Sequence, residues 1–285
     1  LMAKVKATIH GAVSLVSAIA NKKGATLGIS LKVEATIETS EGKGIIIQSE
    51  NKSLSSRLIN KTIERIVSKK DLEKNKIIIT ITSEIPTGYG LKSSSAISSV
   101  IALACAKIFK PKLTDQQILL AGVEASIESK VSITGAYDDA CSCYYGGFNV
   151  TDNGKRNRMH FEKAPSNLIA VIFIPKNRKR GNLKKLKILS PIFNNAWELA
   201  KGKKYWESMT INGLATSSIL NSDPKIIIDL IEKGALAASV SGNGPSIAAI
   251  VKKENEPNIK KIFSNLEGSI IVSKINNKKA EVHEL

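Results

Sequence analysis

Hydrophobic and polar positions alternate along residues 4–9 and 27–37, a period of two that predicts strands on either side of a turn-rich stretch of small residues and glycines. Residues 44–50 read as another short strand. Across 57–70 the period changes: Leu58, Ile59, Ile63, Ile66 and Val67 recur at helical spacing and predict one amphipathic helix. A β-branched run at 76–82 predicts a strand, and the small, apolar segment after Lys92 predicts a long helix starting near Ser93. Thr114 followed by Gln117 is a capping-box pattern, so 114–129 reads as a helix with Glu124 and Glu128 on one face. A glycine-bracketed stretch, 131–147, holds adjacent acids, Asp138 and Asp139; a strand at 148–151 and a turn at 152–154 follow.

The second half reads as a buried strand at 168–174, a basic loop at 175–181, and helices at 191–201, 205–220 and 224–233. Asp223 and Pro224 announce the last of these as cap and first position. A third glycine-rich turn lies within 236–251 between strand-like flanks, and a helix at 259–266 and a strand at 269–275 come after it. Strands and helices alternate without a strict βαβ repeat, which predicts an α+β fold. At 285 residues the chain is long for one domain, and two lobes are expected, 1–152 and 153–285.

Composition narrows the chemistry. No apolar run approaches the roughly 18–20 residues of a membrane helix, and no secretory signal is visible, so a cytoplasmic protein without membrane contact is expected. Three cysteines, Cys105, Cys141 and Cys143, are too few for a disulfide framework and read as buried thiols. The formal charge of +17 allows either a nucleic-acid binder or a handler of anionic small molecules. Aromatic residues are only 5% and the lysines are scattered, which argues against base-stacking platforms and against a nucleic-acid partner.

The loop between the 76–82 strand and the helix at Ser93 points to anions directly. Gly88 and Gly90 can adopt positive φ and let the backbone approach a ligand. The first N–H groups of the helix lack intrahelical partners and face outward at the positive end of its dipole. Ser93, Ser94 and Ser95 add hydroxyls for phosphate oxygens or a magnesium ion.

Pro86-Thr-Gly-Tyr-Gly-Leu-Lys-Ser-Ser-Ser-Ala96, in order with Ser241-Gly-Asn-Gly-Pro245, resembles the motifs of the GHMP kinases, small-molecule kinases that include homoserine and mevalonate kinases. Within that superfamily the chain is most similar to the archaeal-type shikimate kinases. The likeness lies in Gly90-Leu-Lys-Ser-Ser-Ser-Ala96, Thr134-Gly-Ala-Tyr-Asp-Asp-Ala-Cys141, Thr151-Asp-Asn153 and Ile19-Ala-Asn-Lys-Lys-Gly24.

The resemblance implies a two-lobed fold of mixed sheets and helices with the active site in the cleft between lobes, and MgATP-dependent phosphorylation of the shikimate 3-hydroxyl on the way to chorismate. A homoserine or mevalonate type of acceptor is the alternative, and oligomeric state stays open. ATP would be held by Pro86, Gly88, Tyr89, Gly90, Leu91, Lys92, Ser93, Ser94, Ser95 and Ala96, with Gly242 and Gly244 of the third motif. Magnesium would be held by Ser94 and one of Glu124 and Glu128.

Asp138 and Asp139 are the catalytic candidates. Adjacent side chains in extended chain point opposite ways, so one is expected to be the base or electrostatic partner and the other a structural cap. Several family members carry a Lys after the Gly of the first motif, where this chain has Ala12; either the Asp acts without it, or Lys92 or another cation takes its place. For the acceptor carboxylate the basic loop offers Arg178 and Arg180, and the first motif offers Lys22 and its neighbour Lys23.

Overall fold

The structure is a computed structural model that describes residues 2–285 apart from 52, 133, 178 and 180. The alternating N-terminal segment forms two long antiparallel strands, β1 (Ala3–Val16) and β2 (Lys23–Glu41), and a short one, β3 (Gly44–Ser49). The stretch expected to be turn-rich shrinks to residues 17–22. Gly24 of that stretch and Gly28 of the expected strand serve close packing within β2: a Cβ on Gly28 would fall 2.9 Å from Gly146 Cα, and one on Gly24 would fall 2.3 Å from Asp138 Oδ2.

The expected helix at 57–70 divides into α1 (Ser56–Ile66) and α2 (Lys69–Lys74). Val67 is extended, and Ser68 starts the second helix by accepting from the Asp71 N–H, so a local cap outweighs the continuing apolar period. Then come β4 (Asn75–Ser83), α3 (Ser93–Phe109) and α4 (Asp115–Glu128), the last with both bonds of the Thr114–Gln117 capping box. Helix α3 is built from small residues and is buried nearly all round from Ser95 to Ala106, as a helix apolar on every face must be.

The acidic stretch is helical rather than extended: α5 spans Tyr137–Tyr145. It leads to a hairpin, β5 (Phe148–Asp152) and β6 (Asn157–Glu162), whose tip is the turn at 152–154. The first sheet runs β11-β1-β2-β4-β3, where β11 is Glu281–Glu284 returned from the C-terminus. β5 pairs with the start of β2, and β6 with β5, so this sheet takes in the chain as far as Glu162.

The second sheet holds β7 (Leu168–Pro175), β8 (Ala235–Val240), β9 (Ile247–Lys252) and β10 (Gly268–Lys274) in the order β10-β7-β9-β8, all antiparallel. Helices α6 (Ser190–Lys201), α7 (Tyr205–Ile219), α8 (Pro224–Glu232) and α9 (Glu256–Ser264) accompany it. The fold is α+β with two lobes, each organised on its own sheet.

Buried polar bonds join the lobes. Asn212 of α7 accepts from the Ser17 N–H at 2.8 Å and donates to Ser239 Oγ at 2.8 Å, and the Trp197 indole of α6 donates to the Thr151 carbonyl at 2.9 Å. Cys105, Cys141 and Cys143 are buried and unpaired, and burial pushes the first two thiols up to about 12. Among the described residues no helix is long and apolar enough to cross a membrane.

Candidate active site

The loop between β4 and α3 turns through three residues of positive φ: Gly88 at 88°, Gly90 at 83° and Lys92 at 69°. Lys92 is the residue that starts α3, and no side chain caps that helix. The N–H groups of its first turn are therefore left to an incoming acceptor, beside buried Ser93 and Ser95 and exposed Ser94.

The third glycine motif, between β8 and β9, presses directly on this loop. Ser241 Oγ donates to the Gly90 carbonyl at 2.9 Å, and Ser246 Oγ donates to the Tyr89 carbonyl at 2.6 Å. A Cβ on Gly90 would lie 1.9 Å from the Ser241 carbonyl oxygen, so only glycine permits this approach. Gly242 and Gly244 complete the turn at φ 54° and 66°. Leu91 and Ala96 are buried and anchor the loop, while Pro86 and Tyr89 are half-buried.

The Lys92 side chain reaches inward and is only 4% exposed. Its ammonium lies 2.8 Å from Asp139 Oδ1 and donates to Ser14 Oγ at 2.7 Å. Ser14 Oγ also accepts from the Gly242 N–H at 2.9 Å, and the Ser14 N–H donates to Ser241 Oγ at 3.2 Å. One serine on β1 thus ties the phosphate loop to the third glycine motif. The position after Gly11 remains Ala12, buried in the core, and Lys92 brings a cation to Asp139.

Asp138 and Asp139 both lie in the first turn of α5, which begins at Ala136 in the left-handed region and also lacks a side-chain cap of its own. Successive residues of a helix are about 100° apart, so the two carboxylates diverge without opposing each other. Asp139 turns to Lys92 and retains 18% exposure. Asp138 turns inward, where Asn153 Nδ2 donates to its Oδ1 at 2.7 Å, and Thr26 Oγ1 donates to its backbone carbonyl at 2.9 Å. Burial, and then the negative charge of Asp139, push the Asp138 carboxyl well above the usual carboxylate range; the Lys92 charge and the Asn153 bond oppose that rise.

The two glutamates separate. Glu128 pairs with Arg65 of α1, away from α5, and Glu124 pairs with Arg156 in the β5–β6 turn. Gly122 packs on Ser98, which lays the C-terminal half of α4 alongside the first turns of α3. The described residues hold no group of three or more His, Cys, Asp or Glu side chains suited to a metal. A hydroxyl such as that of Ser94 and a carboxylate such as that of Glu124 are donor types that would suit magnesium, with phosphate oxygens and waters completing its shell.

Lys22 sits in the β1–β2 loop at φ 62°, its carbonyl accepting from the Asn153 N–H at 2.7 Å. Lys23 lies over the Trp197 ring, 4.7 Å from its centroid. Arg178 and Arg180 lie outside the described residues. Sequence reasoning gave no role to Ser14, Gly24 or Asn153. Ile19-Ala-Asn-Lys-Lys-Gly24 and Thr151-Asp-Asn153 marked the last two of these by resemblance, whereas nothing local distinguishes Ser14.

The chain is similar to known proteins along nearly its whole length. The family description "GHMP kinases N terminal domain" matches residues 57–147, and "GHMP kinases C terminal" matches 206–266. The chain is 36% identical over 281 residues to a shikimate kinase of Methanosarcina acetivorans, covering 96% of this chain and 95% of that one. It is 31% identical to a shikimate kinase of Methanothermobacter thermautotrophicus, covering 99% and 100%. Among solved structures, a homoserine kinase from Cytophaga hutchinsonii superposes with a TM-score of 0.76 at 19% identity, covering 98% of this chain and 97% of that one. The mevalonate kinase of L. major superposes with a TM-score of 0.70 at 16% identity, covering 96% of each. By the family match, the near full-length relatives and the fold, the chain belongs to the GHMP kinase family.

Proposed function

We infer that this kinase transfers the γ-phosphoryl group of ATP to the 3-hydroxyl of shikimate. End-to-end similarity to archaeal shikimate kinases supports that acceptor over homoserine or mevalonate. The observation that carries the chemistry is the Lys92–Asp139 contact, which sets a cation and a carboxylate side by side at the mouth of the phosphate loop.

Phosphoryl transfer asks the protein for charge neutralisation, in-line positioning and a partner for the hydroxyl proton. The open N-terminus of α3 and the loop from Pro86 to Ala96 receive the triphosphate, with Gly242 and Gly244 closing over it. The acceptor oxygen attacks the γ-phosphorus, the bond to the β-phosphate oxygen breaks, and ADP leaves. Asp139 takes the hydroxyl proton or holds it during transfer, and Lys92 offsets negative charge on the moving group. Asp138, clamped by Asn153, is the structural member of the acidic pair. Magnesium, bound through Ser94 and Glu124, would supply further charge neutralisation on the phosphates. Lys22, exposed in the loop beside Asn153, is the cation proposed for the acceptor carboxylate.

Coupled ADP release from purified protein, measured with shikimate, homoserine and mevalonate in turn, tests this reading. Shikimate-dependent turnover is expected. Turnover with either of the others and none with shikimate would move the acceptor and leave the kinase.

A further inference from the structure

Asn153 is 4% exposed and every polar group of its side chain is engaged. Its Oδ1 accepts from the Asp138 backbone N–H at 3.1 Å and from the Thr151 hydroxyl at 2.8 Å, and its Nδ2 donates to Asp138 Oδ1 at 2.7 Å. Its backbone N–H donates to the Lys22 carbonyl at 2.7 Å. Because α5 has no cap from its own N-terminal residue, the N–H of its second residue finds its acceptor on another element. Asn153 is therefore a helix cap delivered from the β5–β6 turn, and the same amide holds the carboxylate of the residue it caps. On the opposite side the Asp138 carboxylate meets Gly24, where a Cβ would stand 2.3 Å from Oδ2. The carboxylate is wedged between an amide and a bare backbone.

We propose that Asn153 is a positioning residue for phosphoryl transfer: through Asp138 it fixes the rotation of the first turn of α5, which sets Asp139 against Lys92, and ties that turn to the loop at Lys22. The proposal rests on Lys92 and Asp139 being the reacting pair. Asp139 is the next residue along the turn, so a small rotation at Asp138 carries its carboxylate away from the ammonium. A displacement of about 1 Å in a reacting group can cost about a hundredfold in rate. The titratable groups near Asp138 are Asp139, Cys141 and Cys143 of α5 and Lys92 at the head of α3.

Asn153→Asp is isosteric and splits the two bonds. It keeps the acceptor for the Asp138 N–H and replaces the donor to the Asp138 carboxylate with a second carboxylate. At pH 8, kcat should fall about a hundredfold with the KM for ATP within about threefold. At pH 5.5, where one proton can sit between the two carboxyls, the deficit against wild type at the same pH should narrow to less than about tenfold. Adding Asp138→Asn restores an amide–carboxylate pair with the partners exchanged. The double variant should return kcat at pH 8 to within about fivefold of Asp138→Asn alone.

A folded Asn153→Asp variant with kcat within about threefold of wild type at pH 8 overturns the proposal. So does a loss that the exchange fails to rescue, including a double variant that does not fold, since a merely structural amide has no reason to be restored by swapping partners. An Asp139→Asn variant that keeps full turnover instead overturns the reading of the reacting pair, and the proposal with it.

Discussion

Helices α3 and α5 begin in the same way: each starts from a non-glycine residue in the left-handed region, Lys92 at φ 69° and Ala136 at φ 48°, and neither has a side-chain cap of its own. What meets them differs. The N-terminus of α3 is open, lined by hydroxyls and one inward-turned cation, and suits an anion from outside the chain. The N-terminus of α5 is closed by Asn153 and carries its own anions, one buried and one turned to that same cation. Lys92 and Asp139 bridge the two ends. The same local geometry thus makes a binding site in one place and a catalytic support in the other, decided by what the rest of the fold brings to it.

Removing the bridge should have the largest effect. Lys92→Met takes away the charge at α3 and leaves Asp139 without its cation, so kcat should fall by about 10³ or more, read by the ADP-release assay. A fall of less than about tenfold would mean that the two helix ends work independently.

Asp138→Asn tests the closed end. The folded-state carboxyl is raised from 3.8 to about 7, so the unfolded chain ionises first as pH rises. The contribution of Asp138 to stability is therefore full below about pH 4 and is lost as pH rises toward 7. Thermal melts of wild type and Asp138→Asn should diverge over that window, with the variant gaining relative stability at pH 8. Its kcat should stay within about tenfold of wild type, because its amide oxygen can still accept from Asn153. Parallel melting curves across the window would remove the buried-acid account.

The smallest effects belong to α4. Glu124→Gln should raise the magnesium concentration for half-maximal activity by about tenfold, and Glu128→Gln, whose wild-type partner Arg65 lies on α1, should leave it within about twofold. The reverse order would exchange the two glutamates.

The open end was legible in the sequence and the closed end was not. Gly88, Gly90 and the three serines announce their own conformation, and β4 and α3 on either side have clear periodicity. At Tyr137–Tyr145 the small and polar residues carry no strong helical period, and the acceptor that caps the helix comes from Asn153, 15 residues after Asp138. A glycine misled in the same region: Gly24 fell in the stretch expected to be turn-rich, yet it sits inside β2, where Asp138 leaves no room for a Cβ. Ser14 was invisible because its role comes from residues 78 and 228 positions away. Local rules describe turns and caps made by neighbours; they do not reach bonds between distant segments.

Single-turnover phosphoryl transfer to shikimate in Asp139→Asn, measured beside nucleotide binding by titration, tests the account at its centre. Transfer should slow by about 10³ while the Kd for ATP stays within about threefold, because the α3 end is intact. A transfer rate within about tenfold of wild type would contradict the assignment of Asp139.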